Sequence, residues 1–301
     1  MNRTLLCFCT VLWLLLISCD SFAYNFNWRH PFDIGEEDNS TPAPKAGQSQ
    51  QSEPLPTPPP LPAPIPYKAT HKPMIAIVID DMGVDLKRSE WALDLPAGVT
   101  MSYLPYARKI DSQVKEAKDK GHEILLHMPM QAESDGEDPG PYHISVGMSD
   151  AQLEKNIITA LDSFKGYDGV NNHMGSKFTT YKPGLELFMT ELEKRHVFFL
   201  DSRTTPQTVA EQVAREHHLL TTHRDVFLDH IETAEFVAAA LNHTEDVARV
   251  TGAAVAIGHP KDVTLASLEA WLPTLKAKGF QVVSLSEVIK YRNEAQDADN
   301  K

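Results

Sequence analysis

From Met74 to about Arg292 the chain alternates short, unbroken apolar runs with longer amphipathic stretches. This alternation constrains the fold more than any other feature of the sequence. The runs are MIAIVID (74–80), VTMSYLP (99–105), EILLHM (123–128), GVNNHM (169–174), VFFLD (197–201), AAVAIGH (253–259) and QVVSL (281–285). Val-, Ile- and Phe-rich runs of this kind fit strands buried on both faces, as in parallel sheets. Between them, SDAQLEKNIITALDSF (149–164) opens with a Ser149–Gln152 capping box and sets Leu153, Ile157, Leu161 and Phe164 on one face. KPGLELFMTELEKR (182–195) has Pro183 in its first turn, and TPQTVAEQVAREH (205–217) and LASLEAWLPTLKAKG (265–279) read as helices too, the last with a kink expected at Pro273. Gly121 and Gly279 fall where helices should stop. A repeated β-then-α order without an internal repeat predicts one α/β domain, built on a parallel sheet or barrel.

Polar residues gather at the ends of these runs. Asp80 and Asp81 end the first and His127 the third; Asn171, Asn172 and His173 end the fourth, Asp201 the fifth and His259 the sixth. In parallel α/β sheets and barrels the carboxyl ends of the strands carry the active site, so one rim is expected to collect them. Two adjacent carboxylates at a buried strand end cost desolvation and repulsion unless something compensates. A divalent cation with nearby imidazoles would do so, and this donor set suits Zn, Fe, Co or Ni. Three protein ligands and an open position would lower the pKa of water and make it a nucleophile. Asp80 is then left as the candidate general base and His259 as the candidate general acid.

Taken in order, the Asp80–Asp81 strand end, GHEILLHMPMQ (121–131), NNHMGSKFT (171–179), FFLDSRT (198–204) and AIGHP (256–260) resemble the divergent polysaccharide deacetylases, relatives of the NodB-type carbohydrate esterases. The resemblance spans about 74–290. It implies a deformed (β/α) barrel and metal-assisted hydrolysis of an N- or O-acetyl group on a glycan. It also implies that Asp80 is the base, Asp81 a metal ligand, His127 a second ligand and His259 the family's late-strand histidine. NodB-type enzymes carry a further histidine four residues after the first; here that position is Gln131. His173 is the natural replacement, which gives an expected triad of Asp81, His127 and His173, with zinc the expected metal. The family's Arg-Pro-Tyr motif is absent.

Other candidates have plainer readings beside the functional one. Asp201, with Ser202 and Arg203, could orient a histidine or bind substrate, or form a structural ion pair; RDVFLD (224–229) has the same ambiguity. Asn172 and Ser176 could donate to a carbonyl or to developing oxyanion charge. EHHLLTTH (216–223) resembles a metal cluster but reads better as a helix end with solvated histidines. Trp91 and Trp271 lie on helix patterns and read as packing residues. There is no Gly-x-Ser-x-Gly elbow, phosphate-binding glycine loop or His-Glu-x-x-His.

The first 23 residues read as a secretory signal: Arg3, an apolar stretch from Leu5 to Ile17, and SFA (21–23) before the expected cleavage. LISC (16–19) offers a competing lipoprotein reading through Cys19, and an uncleaved anchor is a third. All three cysteines, Cys7, Cys9 and Cys19, lie in this segment, so cysteine nucleophiles and cysteine metal sites are excluded from the folded domain. Residues 24–72, rich in Pro, Gln and Ser, read as a disordered linker that could also engage a protein partner. The domain is expected at 73–292, with a disordered tail at 293–301. A net charge of −13 argues against a nucleic-acid partner. The chain therefore reads as a periplasmic, metal-dependent hydrolase of an acetylated envelope glycan, with no membrane span after signal removal. The alternative is a non-catalytic envelope protein using the same fold to bind a glycan or a protein.

Overall fold

The computed structural model describes residues 71–299. The expected signal, nearly all of the linker and the three cysteines lie outside the described residues.

Each apolar run forms a strand: β1 (Met74–Met82), β2 (Thr100–Tyr103), β3 (Ile124–Met130), β4 (Gly169–Met174), β5 (Phe198–Asp201), β8 (Ala253–Gly258) and β9 (Gln281–Val282). Two short strands, β6 (Thr221–His223) and β7 (Val226–Phe227), complete the sheet. The order is β6-β5-β4-β3-β2-β1-β8-β7, with every pair parallel. β9 pairs with the first residues of β1, on Met74 and Ile75, before β2 joins at Val78. The two edge strands are separated only by Arg224 and Asp225. Arg224 N donates to Asp201 O on the β5 side, and Asp225 N donates to Val255 O on the β8 side. One extended segment thus changes partner midway and draws the sheet into a deformed (β/α) barrel, as the resemblance implied. Arg292 spans this junction, donating to Thr222 Oγ1 at 2.9 Å, Asp225 Oδ2 at 2.6 Å and Ala253 O at 2.9 Å.

Strand side chains alternate between two faces. Ile75, Ile77, Ile79, Leu126, Met128, Val170 and Phe199 pack outward against the helices in the larger core. Ala76, Val78, Leu125, Leu200, Val255 and Ile257 point the other way and pack with Leu285, Val288 and Ile289 of α8 (Leu285–Asp299). α8 covers the end where the strands begin: Ser286 N donates to Glu123 Oε2, just before β3. The opposite end is left for the polar residues.

The helices are α1 (Leu86–Ala92), α2 (Ile110–Asp119), α3 (Asp150–Leu161), α4 (Lys182–Arg195), α5 (Ala210–Glu216), α6 (Ala234–Thr251) and α7 (Asp262–Trp271), besides α8. The Ser149–Gln152 capping box is formed, and Pro183 lies in the first turn of α4. α5 is shorter than expected because Thr205–Val209 turn inward, with Val209 N donating to Thr179 O. α7 starts earlier and ends at Trp271; Pro273 sits in a separate 3-10 turn, Leu272–Thr274. The expected disordered tail is corrected in part: α8 continues to Asp299, and Asn293 Nδ2 donates to Thr221 O. Among the described residues no helix is long and apolar enough to cross a membrane.

Candidate metal centre

The site begins with an irregularity in β1. The β1–β2 register shifts between Ile79 and Met82, and Asp81 has φ +56°. Adjacent strand residues normally face opposite ways. Such a bulge re-aims a side chain and is common beside active sites. Asp80, in step with Ala76 and Val78, already faces inward; the bulge brings Asp81 to the same place. His127 Nε2 lies 3.6 Å from Asp80 Oδ2 and 3.4 Å from Asp81 Oδ1.

β4 is in register with β3, with His127 opposite Asn171 and Pro129 opposite His173. His173 Nδ1 lies 3.0 Å from Asp81 Oδ1, and the two imidazole rings meet edge to face at 4.9 Å. Asp81 Oδ1 is buried, yet neither nitrogen approaches it with the alignment of a hydrogen bond. A buried carboxylate oxygen set between two ring nitrogens is the donor set that a cation site requires. Metal–ligand distances near 2.1 Å in a tetrahedral zinc site would set ligand atoms about 3.4 Å apart. The observed 3.4 and 3.0 Å are close to that spacing. Asp81, His127 and His173 form a grouping whose ligand atoms all lie within 4.8 Å. These residues fit a divalent cation.

Burial works to raise the Asp81 carboxyl. The contacts with His127 and His173, and the charges of His173 and His259, outweigh it and hold that carboxyl well below the usual range. Burial also works against charge on His127, but Asp80 and Asp81 prevail and raise it. His259 stands across the rim, with Nε2 3.7 Å from Asp81 Oδ2. Its Nδ1 is 2.9 Å from Asp229 Oδ1, and its backbone N–H donates to Asp229 Oδ2 at 2.7 Å. Burial opposes the charged ring. The Asp229 hydrogen bond and the carboxylates of Asp81, Asp229 and Asp80 overcome it and lift His259 to about 9.

The structure brings together Asp80, Asp81, His127, His173 and His259. It does not place the remaining candidates among them. Asp201 faces outward and touches no histidine of the site; it accepts from Arg203 N and Thr208 Oγ1, so it shapes the turn after β5. Asn172 also faces away, accepting from Ser202 N and donating to Met174 O, which leaves its amide engaged with backbone. Ser176 Oγ accepts from Glu133 N and joins two rim loops. Arg203 is largely exposed, with Nη2 3.9 Å from Glu211. Gln131, at the family's second-histidine position, accepts from Val146 N and stabilises the loop after β3. His217, at the end of α5, pairs with Glu186, whereas His223 lies in β6 and pairs with Glu211, so the expected solvated histidines of a helix end are ion-paired instead.

Asp229 and Asn171 are the residues that sequence reasoning undervalued. Asp229 was visible in RDVFLD but had no partner to recommend it. Arg224, from the same stretch, is half-buried, donates to Ser202 O and Arg203 O, and lies within electrostatic reach of Asp80. Tyr106 stands on the rim near Asp81. Burial chiefly, then the charges of Asp81 and Asp138, push its phenol up to about 12.

Residues 77–289 match the family described as divergent polysaccharide deacetylase, and the chain belongs to that family. An uncharacterized protein of Haemophilus influenzae is 37% identical over 221 residues, 73% of this chain and 77% of its own length. The uncharacterized protein YibQ of Escherichia coli is 32% identical over 195 residues, 65% of this chain and 61% of YibQ. The crystal structure of uncharacterized protein ATU2773 from Agrobacterium tumefaciens C58 superposes with a TM-score of 0.70 at 26% identity, covering 75% of this chain and 92% of that one.

Proposed function

We propose that the protein is an exported, metal-dependent hydrolase that removes acetyl groups from an envelope glycan in the periplasm. The observation that carries this reading is the buried, unbonded Asp81 Oδ1 between His127 Nε2 and His173 Nδ1. Asp81, His127 and His173 would hold the cation, with zinc favoured by the donor set. When bound, such a cation polarises a carbonyl and makes water a nucleophile near neutral pH.

The chain's own residues supply the proton transfers. Asp80 accepts the proton of the attacking water. It is anchored for this by Asn171, whose Nδ2 donates to its Oδ1 at 2.8 Å. His259 holds a proton at neutral pH because Asp229 and the Asp80–Asp81 pair raise it to about 9. Its Nε2, turned to the Asp81 side of the site, delivers that proton to the departing amine or alkoxide. Base and acid therefore flank the cluster.

Elemental analysis of the purified protein tests the reading. About one equivalent of transition metal is expected, following the three-ligand site. It should be lost in His127→Ala and His173→Ala, with acetate released from acetylated glycans by the wild type alone. A second reading, a glycan- or protein-binding member without catalysis, draws on Gln131, whose side chain serves the loop and not the site. Metal binding without acetate release would favour it; a wild type that takes up no metal after reloading overturns the hydrolase.

A further inference from the structure

Asn171 is 0% exposed and its amide is saturated. Oδ1 accepts from Ser102 Oγ at 2.7 Å and lies 2.8 Å from His127 Nδ1. Nδ2 donates to Asp80 Oδ1 at 2.8 Å and to Ser202 Oγ at 3.2 Å. Chemistry fixes which way this amide points. A carboxylate only accepts hydrogen bonds, so the NH2 end must face Asp80. The carbonyl end then faces His127, and it too only accepts. His127 Nδ1 must therefore carry a proton. In the neutral ring, the form that ligates metals, the free lone pair is then on Nε2. That atom is the one lying 3.4 Å from Asp81 Oδ1.

We propose that Asn171 is a positioning residue for the reaction read above, on which this inference rests. One end of its amide sets the His127 proton on Nδ1 and makes Nε2 the metal-binding atom; the other end holds the Asp80 carboxylate. A single buried amide thereby ties a metal ligand to the base. Ser102 completes the arrangement by occupying the second lone pair of Oδ1, so the carbonyl has no reason to turn. Asn172 cannot substitute, because its amide is engaged on the opposite face.

The test measures zinc affinity by chelator competition on the purified full-length protein, as wild type, Asn171→Leu and Asn171→Asp. Leu has a similar size and no polar atoms. Asp keeps an acceptor toward His127 and Ser102 but loses both donors. Loss of a partner that orients a ligand typically costs 10–100-fold in metal affinity, and a weakening of roughly that size is expected for Asn171→Leu. Asn171→Asp should retain most of the zinc affinity while losing acetate release. A merely structural role would lower the melting temperature of both variants and leave their zinc affinities alike. A long-range proton–nitrogen spectrum of the zinc-loaded wild type gives a second readout that needs no variant to fold. His127 should be protonated on Nδ1; a proton on Nε2 overturns the inference. Zinc uptake by the wild type with Asn171→Leu unaffected overturns this inference alone. No zinc uptake by the wild type brings down the hydrolase reading and this inference with it.

Discussion

Asp229 grips His259 at two points: Oδ1 lies 2.9 Å from the ring Nδ1 and Oδ2 accepts the backbone N–H at 2.7 Å. Thr264 Oγ1 donates to the same Oδ2 at 2.8 Å, so the carboxylate cannot swing away. The ring is thereby oriented with Nε2 toward Asp81. Asp229→Asn keeps the shape and removes the charge. Its His259 should titrate well below about 9. Acetate release should fall by roughly 10²–10⁴-fold at neutral pH, the usual contribution of a general acid. An NMR titration of the His259 ring reads the first effect, and kcat/KM reads the second. In the metal-free wild type this histidine stabilises the fold fully below its unfolded value near 6.5, and that contribution is lost as pH rises through about 9. Urea midpoints should therefore decline over that window in the wild type and decline less in Asp229→Asn. Equal slopes would contradict the assignment.

Gly83 makes the Asp80–Asp81 bulge affordable. It adopts φ +89°, and a Cβ there would lie 2.4 Å from Ala107 Cβ. Its N–H donates to Ser89 Oγ at 2.9 Å, which fixes the turn into α1. Gly83→Ala combines a left-handed penalty of about 1–2 kcal/mol with an overpacking cost of about 1–3 kcal/mol. Urea unfolding should register the sum, and zinc affinity should fall because Asp81 lies two residues upstream. A variant as stable as the wild type would show that the turn is not under this constraint.

Much of the site is legible from one rule, and two of the misses come from overlooking it. Period-two alternation puts Asp80 in step with Ala76 and Val78, His127 with Leu125, and His259 with Val255 and Ile257, all inward. The same rule sets Asn171 with His173, and Ser202 with Leu200. The expectation that Asn172 and Asp201 belonged to the site ignored it, and both face away. Asp81 is the reverse case: alternation would send it outward, and only the bulge at φ +56° brings it in. No pattern in the apolar residues announces that bulge. Asp229 follows β7, a two-residue strand too short to show any period. α6, the longest of the described helices, is flanked by a Thr233 cap and by Gly252 in a left-handed turn, both of them signals that a sequence carries.

Zinc should stabilise the fold through Asp81. At a free concentration near 100 times Kd, linkage gives about 2.7 kcal/mol. For a domain of this size that corresponds to a rise of roughly 5–11 °C in melting temperature. Asp81→Asn removes the charged oxygen that both histidines face, and its melting temperature should not move with zinc. A matching rise in the variant would place the cation elsewhere.

The acid limb of stability should report on Glu211, away from the metal centre. Burial works to raise this carboxyl, but the His223 contact at 2.7 Å, together with Arg215 at 2.6 Å, lowers it to about 2. A depressed carboxyl contributes its stability above the unfolded value, near 4.3 for Glu, and loses it as pH falls toward the folded value. Glu211 bridges α5 to β6, one half of the segment that closes the barrel, so the effect should appear in global unfolding. Glu211→Gln should be less stable than the wild type near neutrality. The gap measured by urea unfolding should narrow as pH drops below about 4.3. A gap that stays constant down to the acid transition would mean that Glu211 is not depressed by its partners.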